Sequence, residues 1–497
     1  MMNNIKGTNK IQRTKIISGY DNRGEVFDAG DSILRKINKD YFDEVVNIFE
    51  FYESFKKNNN DIIETQLLKN KKSLVHKKLT PAYPFEWTPN MFKDALLFHL
   101  ELFLKLDLHG YTLKDGLPNN VLFDGTTPVF IDFLSLIKIE RLKDEKWLVE
   151  NSNYHDLRYE IFDKMFIPYF ILPFLIMTRR DYASARVMLR DKACNMPCSF
   201  PTWSDILPKA SFVRGIINKI KGECSLGDEN TEIIFNFLKQ KNVLLFNDFI
   251  RRLIALIRDI DVTPSSSGYL SYYNEKKENF DLKNRANWKQ KQTNIFEIIK
   301  KYKPKRVLDL GANTGWFSIL AEKMGAKVVS VEIDESCIDN LYLSARDKKL
   351  NIVTLQIALE NMKNRYFGID YPKDKYSEYK NRDFKNNPLF DSAEKRLQSD
   401  MTLCLALFHH LILGAGMKVN DVMKTLSNLT TEVLVLEFIG LNDNLIKSNP
   451  FFFKNLAMYN ERSYNLERIV RSGARFFSKA EVLDSHPSTR KLIVLNK

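Results

Sequence analysis

The chain is predicted to be α/β, a C-terminal doubly wound parallel sheet joined to an N-terminal α+β, helix-rich half. Three observations lead there. Val307 to Glu332, VLDLGANTGWFSILAEKMGAKVVSVE, runs strand, glycine turn, helix, strand and acid in one register. Further short apolar runs follow it: Asn351–Leu359, Met401–Phe408 and Val433–Phe438. Upstream, Phe92–Leu108 is amphipathic at helical spacing and leads into two short strands around an Asp124-Gly125 turn.

The glycine turn carries the chemistry. Val307–Leu310 suits a buried parallel strand, and Gly311-Ala312-Asn313-Thr314-Gly315 puts small residues where backbone turns sharply and approaches a ligand. Trp316–Met324 continues as helix, with Gly325 at the position of a C-cap. Glu332 follows about 20 residues on, the distance at which a carboxylate reaches ribose hydroxyls. The spacing is G-x-x-x-G, without the Lys-Ser/Thr pair of a phosphate-cradling loop. DLGANTG with the later VEID resembles motif I of class I S-adenosylmethionine (SAM) methyltransferases. The resemblance implies a Rossmann-like, seven-stranded doubly wound sheet and SAM as cofactor. It places Asp309, Gly311, Ala312, Asn313, Thr314, Gly315, Glu332, Ile333, Asp334, Ala358 and Leu359 around the donor, with Asp309 fixing the turn or receiving the methionine ammonium through water. Members of that family usually carry an Asp for adenine after the third strand, where this chain has Ala358; Glu360, Asn361 or backbone groups alone are the substitutes.

Composition fits such a chain. At 497 residues, 44% hydrophobic and 28% charged, there is room for two or three globular domains. The net charge of +13 suits an anionic partner, but no basic block interleaved with aromatics stands out, so nucleic acid is possible and not favoured. Five scattered cysteines argue against a disulfide framework, and Cys194-x-x-x-Cys198 has no second pair at metal-ligand spacing. The first fifteen residues lack an apolar core, so no secretory signal is read there. Met165–Met177 is the most apolar run; with Pro168 and Pro173 inside 13 residues it reads as a buried core helix. No transmembrane segment is expected, and cytoplasmic is the default.

The N-terminal half has its own constellation. Thr88-Pro89 is a helix start, and Gly110 closes the long helix. LKDGLPNNVLFDGTTPVFIDF follows, with Asp115 five residues before Asn120 and Asn120 twelve before Asp132. A long helix, D-x-x-x-x-N and a hairpin ending in I-D-F resemble the catalytic half of protein-kinase-like phosphotransferases. The resemblance implies that Asp115 orients an acceptor hydroxyl while Asn120 and Asp132 bind Mg²⁺ with a nucleotide. Departures are specific: Leu113-Lys114 precedes Asp115, Phe-Leu follows Asp132, no glycine-rich loop stands upstream, and Lys36 in ILRKI is the candidate nucleotide lysine. A retained, non-catalytic scaffold is the reading those departures favour. Pro264–Gly268 is the clearest linker, which sets the expected boundary: residues 1–262 and 263–497.

YPFEWT, LKDGLPNNVLFDGTTPVFIDFLSL, VLDLGANTGWFS and LALFHHL as a set look like a bacterial two-part methyltransferase family with nodulation-protein-like members. The aromatic stretch before motif I is expected to cover the cofactor, with Tyr272, Tyr273 and Lys283 as candidates. Lys363–Gln398, with Tyr366, Tyr371, Tyr376 and Tyr379, is either an acceptor lid or a surface insertion. Amino-group methyltransferases carry Asn/Asp-Pro-Pro-Tyr/Phe after the fourth strand; Phe-His-His-Leu here points to oxygen, with His409 or His410 taking the acceptor proton. Each also has a packing or capping reading. Glu437 either orients a histidine or the acceptor, or is a buried acid paired with Lys or Arg. Ala474–Phe477 and Lys491–Leu495 are read as the closing strands. The expected activity is methyl transfer to a hydroxyl of a small-molecule or glycan acceptor, the alternatives being an RNA methyltransferase and a bifunctional or pseudokinase protein whose N-terminal half binds nucleotide.

Overall fold

A computed structural model describes residues 14–16, 23–69, 72–150, 152, 154–194, 229–241, 243–271, 280–364, 391–452, 455, 459 and 462–497. The longer helices are α1 Phe42–Phe55, α2 Pro89–Asp107, α3 Arg158–Thr178, α4 Tyr182–Cys194, α5 Glu229–Leu238 and α6 Phe246–Asp259 in the N-terminal half. In the C-terminal half they are α7 Gln290–Tyr302, α8 Trp316–Lys323, α9 Glu335–Asp347, α10 Val419–Leu429 and α11 Leu466–Gly473.

The N-terminal half begins with an antiparallel sheet in the order β1-β2-β3-β5-β4 (Thr14–Ile16, Gly24–Asp28, Ser32–Ile37, Ser73–Lys77, Thr65–Leu67), with α1 inserted between β3 and β4. Then come α2, β6 (Tyr111–Leu113), the β7–β8 hairpin (Val121–Asp124, Thr127–Phe130) and β9 (Leu136–Lys138), which pairs with β6. This is the α+β, helix-rich order expected of the N-terminal half. Helix α2 starts because Thr88 Oγ1 accepts the Met91 N–H (3.2 Å) and Pro89 pre-sets the first turn. Helix α3 is long and apolar enough to cross a membrane, but 83% of that stretch is buried inside the protein, as expected of a core helix. Its middle, Phe162–Ile171, is wound as a π-helix around Pro168, which has no N–H to give the ordinary ladder.

The C-terminal half is a seven-stranded sheet in the order β12-β11-β10-β13-β14-β16-β15. In chain order the strands are Arg306–Leu310, Lys327–Glu332, Ile352–Gln356, Ser399–Cys404, Thr430–Ile439, Lys479–Asp484 and Arg490–Asn496. The first five are parallel; β16 runs antiparallel to both β14 and β15. This is the Rossmann-like class I methyltransferase topology. Chain order reverses between β10 and β13, and ligands of doubly wound sheets bind outside the carboxyl ends of strands at such a switch point. Two expectations shift. Ala474–Phe477 is the exit from α11 and the strand is Lys479–Asp484; β13 stops at Cys404, because Ala406 takes a left-handed φ of +50°.

Strand residues alternate between two cores, as period-2 side chains require. Val307, Val328, Leu403 and Val435 face a cluster with Ile295, Trp316 and Leu492. Leu308, Val329, Cys404 and Leu436 face the other side, where one continuous cluster also takes in Trp87, Phe92 and Phe130 of the N-terminal half. The two halves therefore share a core. Polar contacts fix their register: Arg396 pairs with Glu86, donates to the Pro81 carbonyl and lies over the Tyr83 ring, and the Asp391 N–H donates to Tyr83 Oη (3.1 Å). Arg396 and Glu86 side chains are 4% and 6% exposed. Replacing one member of such a pair leaves a buried charge, so Arg396→Met is expected to cost roughly 3–5 kcal/mol of unfolding free energy in a urea titration. Glu86→Gln on that background should recover part of the loss.

Candidate functional site

The loop after β10 is built by backbone conformations that side chains resist. Gly311 and Gly315 have φ of +71° and +83°. A Cβ on Gly315 would sit 2.3 Å from Leu341 Cδ1, so that position has no room for one. The Gly311 and Ala312 N–H groups both donate to the Val331 carbonyl (2.8 and 3.1 Å), tying the turn to the end of β11. Asn313 also adopts a left-handed φ, +51°, and its Oδ1 accepts the Thr314 N–H at 2.7 Å.

Glu332 closes this loop. Its Oε2 accepts the Asn313 N–H (2.9 Å), while Oε1 accepts those of Ile333 (2.7 Å) and Asp334 (3.0 Å). Burial pushes its pKa up, and the three N–H bonds work against that rise. Asp334 caps α9 by accepting the Cys337 N–H (3.0 Å). Ile333 leaves its apolar side chain 59% exposed beside the acid. The Ile357 N–H donates to the Glu332 carbonyl (3.2 Å), and Ala358 and Leu359 open the next turn, with the Asn361 N–H donating to the Ala358 carbonyl (2.9 Å). Asp309 lies beneath the turn, buried, accepting from Ser318 Oγ (2.6 Å), which in turn accepts from Ser330 Oγ (2.8 Å).

The loop after β13 faces that turn. A Cβ built on Gly311 would meet Leu407 Cδ2 at 3.2 Å, so the two loops are in contact. The Leu407 carbonyl accepts the His410 N–H (2.9 Å), and His410–Gly414 forms a π-turn, a geometry frequent at functional sites. His409 is enclosed, its ring 4.3 Å from His410 and 5.3 Å from Phe452, with no hydrogen-bond partner on either nitrogen. Burial lowers its pKa well below the histidine range, and lowers that of half-buried His410 less far, so both are neutral at pH 7. Glu437 is fully buried; its Oε2 accepts from Lys291 Nζ (2.7 Å) and its Oε1 from Ser485 Oγ (2.7 Å). Lys291, at the start of α7, also lies over the Phe317 ring. Nothing in the sequence pattern singled out Lys291.

In the N-terminal half the three expected residues gather at the open end of the β7–β8 hairpin. The Asn120 carbonyl accepts the Ile131 N–H (2.8 Å), one residue before Asp132, and the Asp115 N–H donates to Ser135 Oγ (2.9 Å). Asp115 Oδ1 accepts the Leu117 N–H (3.2 Å). Arg35, not Lys36, is the cation facing Asp132 (3.4 Å); Lys36 points outward, over the Phe27 ring. Among the described residues no group of three or more His, Cys, Asp and Glu is arranged to hold a metal ion. Tyr272, Tyr273, Tyr366, Tyr371, Tyr376 and Tyr379 lie outside the described residues, and Lys283 is an exposed loop residue.

Residues 272–372 match the family of Tellurite resistance protein TehB. Nodulation protein NoeA of Rhizobium meliloti (strain 1021) is 23% identical over 419 residues, covering 81% of this chain and 76% of NoeA. Among solved structures, WbdD aligns at 16% identity over 41% of this chain with a TM-score of 0.28, and the chain spans only 39% of that structure. TehB from Haemophilus influenzae aligns at 14% identity over 46% of this chain and 67% of its own, with a TM-score of 0.30.

Asp309 gives the site a measurable titration. Burial raises its pKa to about 6, against the hydrogen bond from Ser318 and the charge of Lys291. A carboxyl whose pKa is higher in the folded than in the unfolded chain favours the fold below about pH 4, and that advantage disappears as pH rises through about 6. Wild type should therefore lose on the order of 3 kcal/mol of stability between pH 4 and 7 relative to Asp309→Asn, measured by denaturant unfolding across that range.

Proposed function

We propose that this chain, a SAM-dependent class I methyltransferase with a kinase-like N-terminal half, methylates a hydroxyl of a small molecule or saccharide between the loops after β10 and β13. The observation that carries the reading is Glu332 locked against the Gly311–Gly315 turn at the switch point of the sheet. The residues fit the donor. A carboxylate offers about four lone-pair sites, so Glu332, with three taken by N–H groups, retains capacity for a ribose hydroxyl. Exposed Ile333 offers an apolar surface for a flat ring beside it, while Ala358 and Leu359 bring backbone to the same edge. Gly311 and Gly315 let Leu407 and Leu341 pack directly against the main chain of the turn, which holds it in place at the switch point. Asp309 holds the base of the turn through Ser318.

SAM supplies a methyl carbon already made electrophilic by its sulfonium. The protein's work is then to position the acceptor oxygen and to receive its proton. His410 is the residue we assign to the proton: it is half-buried rather than enclosed, and burial keeps it neutral, hence able to accept, at pH 7. His409 backs its ring. Glu437, neutralised by Lys291, anchors the end of β14. We keep the boundary at 262/263, on the Pro- and Ser-rich segment that follows it. In the N-terminal half Asp132 faces Arg35, a pairing that supports our reading of this half as a non-catalytic scaffold.

Calorimetry should show wild type binding SAM and Glu332→Ala binding at least about tenfold more weakly, because a charge-assisted contact is lost. No binding by wild type, or equal binding by both, removes this site. With labelled SAM and panels of hydroxylated small molecules and saccharides, His410→Ala should lower kcat about 10²- to 10⁴-fold. The wild-type rate should climb as His410 deprotonates below about pH 6.5 and level off above it.

A further inference from the structure

Helix α9 begins three residues after Glu332, and its first turn is held from outside the C-terminal half. Arg186 of α4 pairs with Glu335 and donates to the Trp87 carbonyl (2.6 Å). Asn90 at the start of α2 gives both its backbone N–H (2.9 Å) and its Nδ2 (2.7 Å) to the buried Asp339 carboxylate. The segment joining the halves adds a third hold. Asn90 Nδ2 reaches Thr263 Oγ1 (3.2 Å); Ser336 Oγ accepts the Ser267 N–H (3.2 Å) and lies 2.9 Å from Ser267 Oγ and 2.7 Å from Asp334 Oδ1. Two residues on, the Tyr269 carbonyl accepts from Asn313 Nδ2 (3.1 Å). Asn313 and Asp334 are two of the three residues whose N–H groups grip Glu332. The chain of contacts thus runs unbroken from α2 and α4 to the carboxylate assigned to the ribose.

We propose that Arg186, Asn90 and Ser267 are positioning residues for the cofactor: the N-terminal half, through α9 and the 263–269 segment, sets the geometry of Glu332 and hence the affinity for SAM. The proposal rests on the reading of Glu332 as a donor ligand. It gives the kinase-like half a task that needs no nucleotide. A carboxylate already clasped by three N–H groups keeps its remaining lone pairs aimed in one direction only while Asn313 and Asp334 stay in place; Tyr269 and Ser336 hold those two, and Asn90 and Arg186 of the other half hold the 263–269 segment and α9 that carry Tyr269 and Ser336. Loosening the clasp acts on a binding-competent population, so it appears in affinity before it appears in turnover.

The test uses the full chain. Arg186→Met should weaken SAM binding about tenfold and raise KM for SAM with kcat at saturation within about twofold. Amide hydrogen exchange at Asn313, Ile333 and Asp334 should speed up in the same variant without ligand. Ser267→Ala, a milder change that keeps the fold if Arg186→Met does not, should show both effects at roughly three- to tenfold. A lower Tm with unchanged SAM affinity and unchanged exchange at those three amides would mean the contacts are only structural, and the proposal falls. If wild type binds no SAM, the donor reading falls instead, while the exchange rates still decide whether the interface holds the loop.

Discussion

The site depends on one carboxylate used from two directions. Glu332 ends β11, and its oxygens collect N–H groups from the turn after β10 and from the start of α9. Those groups are otherwise hard to satisfy: a left-handed turn and a helix N-terminus both present donors with no partner in their own element. One acid therefore joins two loops that the sheet topology only brings near each other. The cost is desolvation, visible as the upward push on its pKa, and the three hydrogen bonds offset it.

Around that acid, the second constraint is the shared core. The strands of the large sheet are apolar on both faces, so both need cover, and the N-terminal half contributes on one of them. Tyr342 shows how the halves are matched: its ring packs edge-on to Phe123, and its hydroxyl donates to Asp94, which also pairs with Arg346. At the hairpin turn, a Cβ on Gly125 would lie 3.0 Å from the Asn351 backbone, a close approach that a larger residue would disturb.

Much of this was legible in the sequence, for identifiable reasons. Gly311 and Gly315 stand where positive φ is required, and Glu332 sits at a fixed distance along an uninterrupted strand-turn-helix-strand. Such information is local. The pairs that finish the site are not: Lys291 meets Glu437 across 146 residues, and Arg186 meets Glu335 across 149. Adjacent basic residues in ILRKI could be told apart only by register, since a one-residue slip reverses the face of a strand. The strand at Lys479–Asp484 is hard to read from sequence because it is an edge, four of its six residues exposed, and lacks the apolar alternation of a buried one, while Phe476 and Phe477 just upstream give the stronger apolar signal. The apolar run Met401–Phe408 puts the histidine pair at a strand end, whereas Ala406 breaks the strand early and sends both into the helical turn beyond.

The position of β16 has a consequence for how the molecule is made. β14, TTEVLVLEFI, pairs with β13 on one side and with β16 on the other, and β16 is the last strand in the sequence. Until residues 490–496 leave the ribosome, a ten-residue apolar strand shows an open row of donors and acceptors along one edge. That is the kind of template on which other nascent chains add. A chain ending before Arg490 would leave that edge of β14 without its partner.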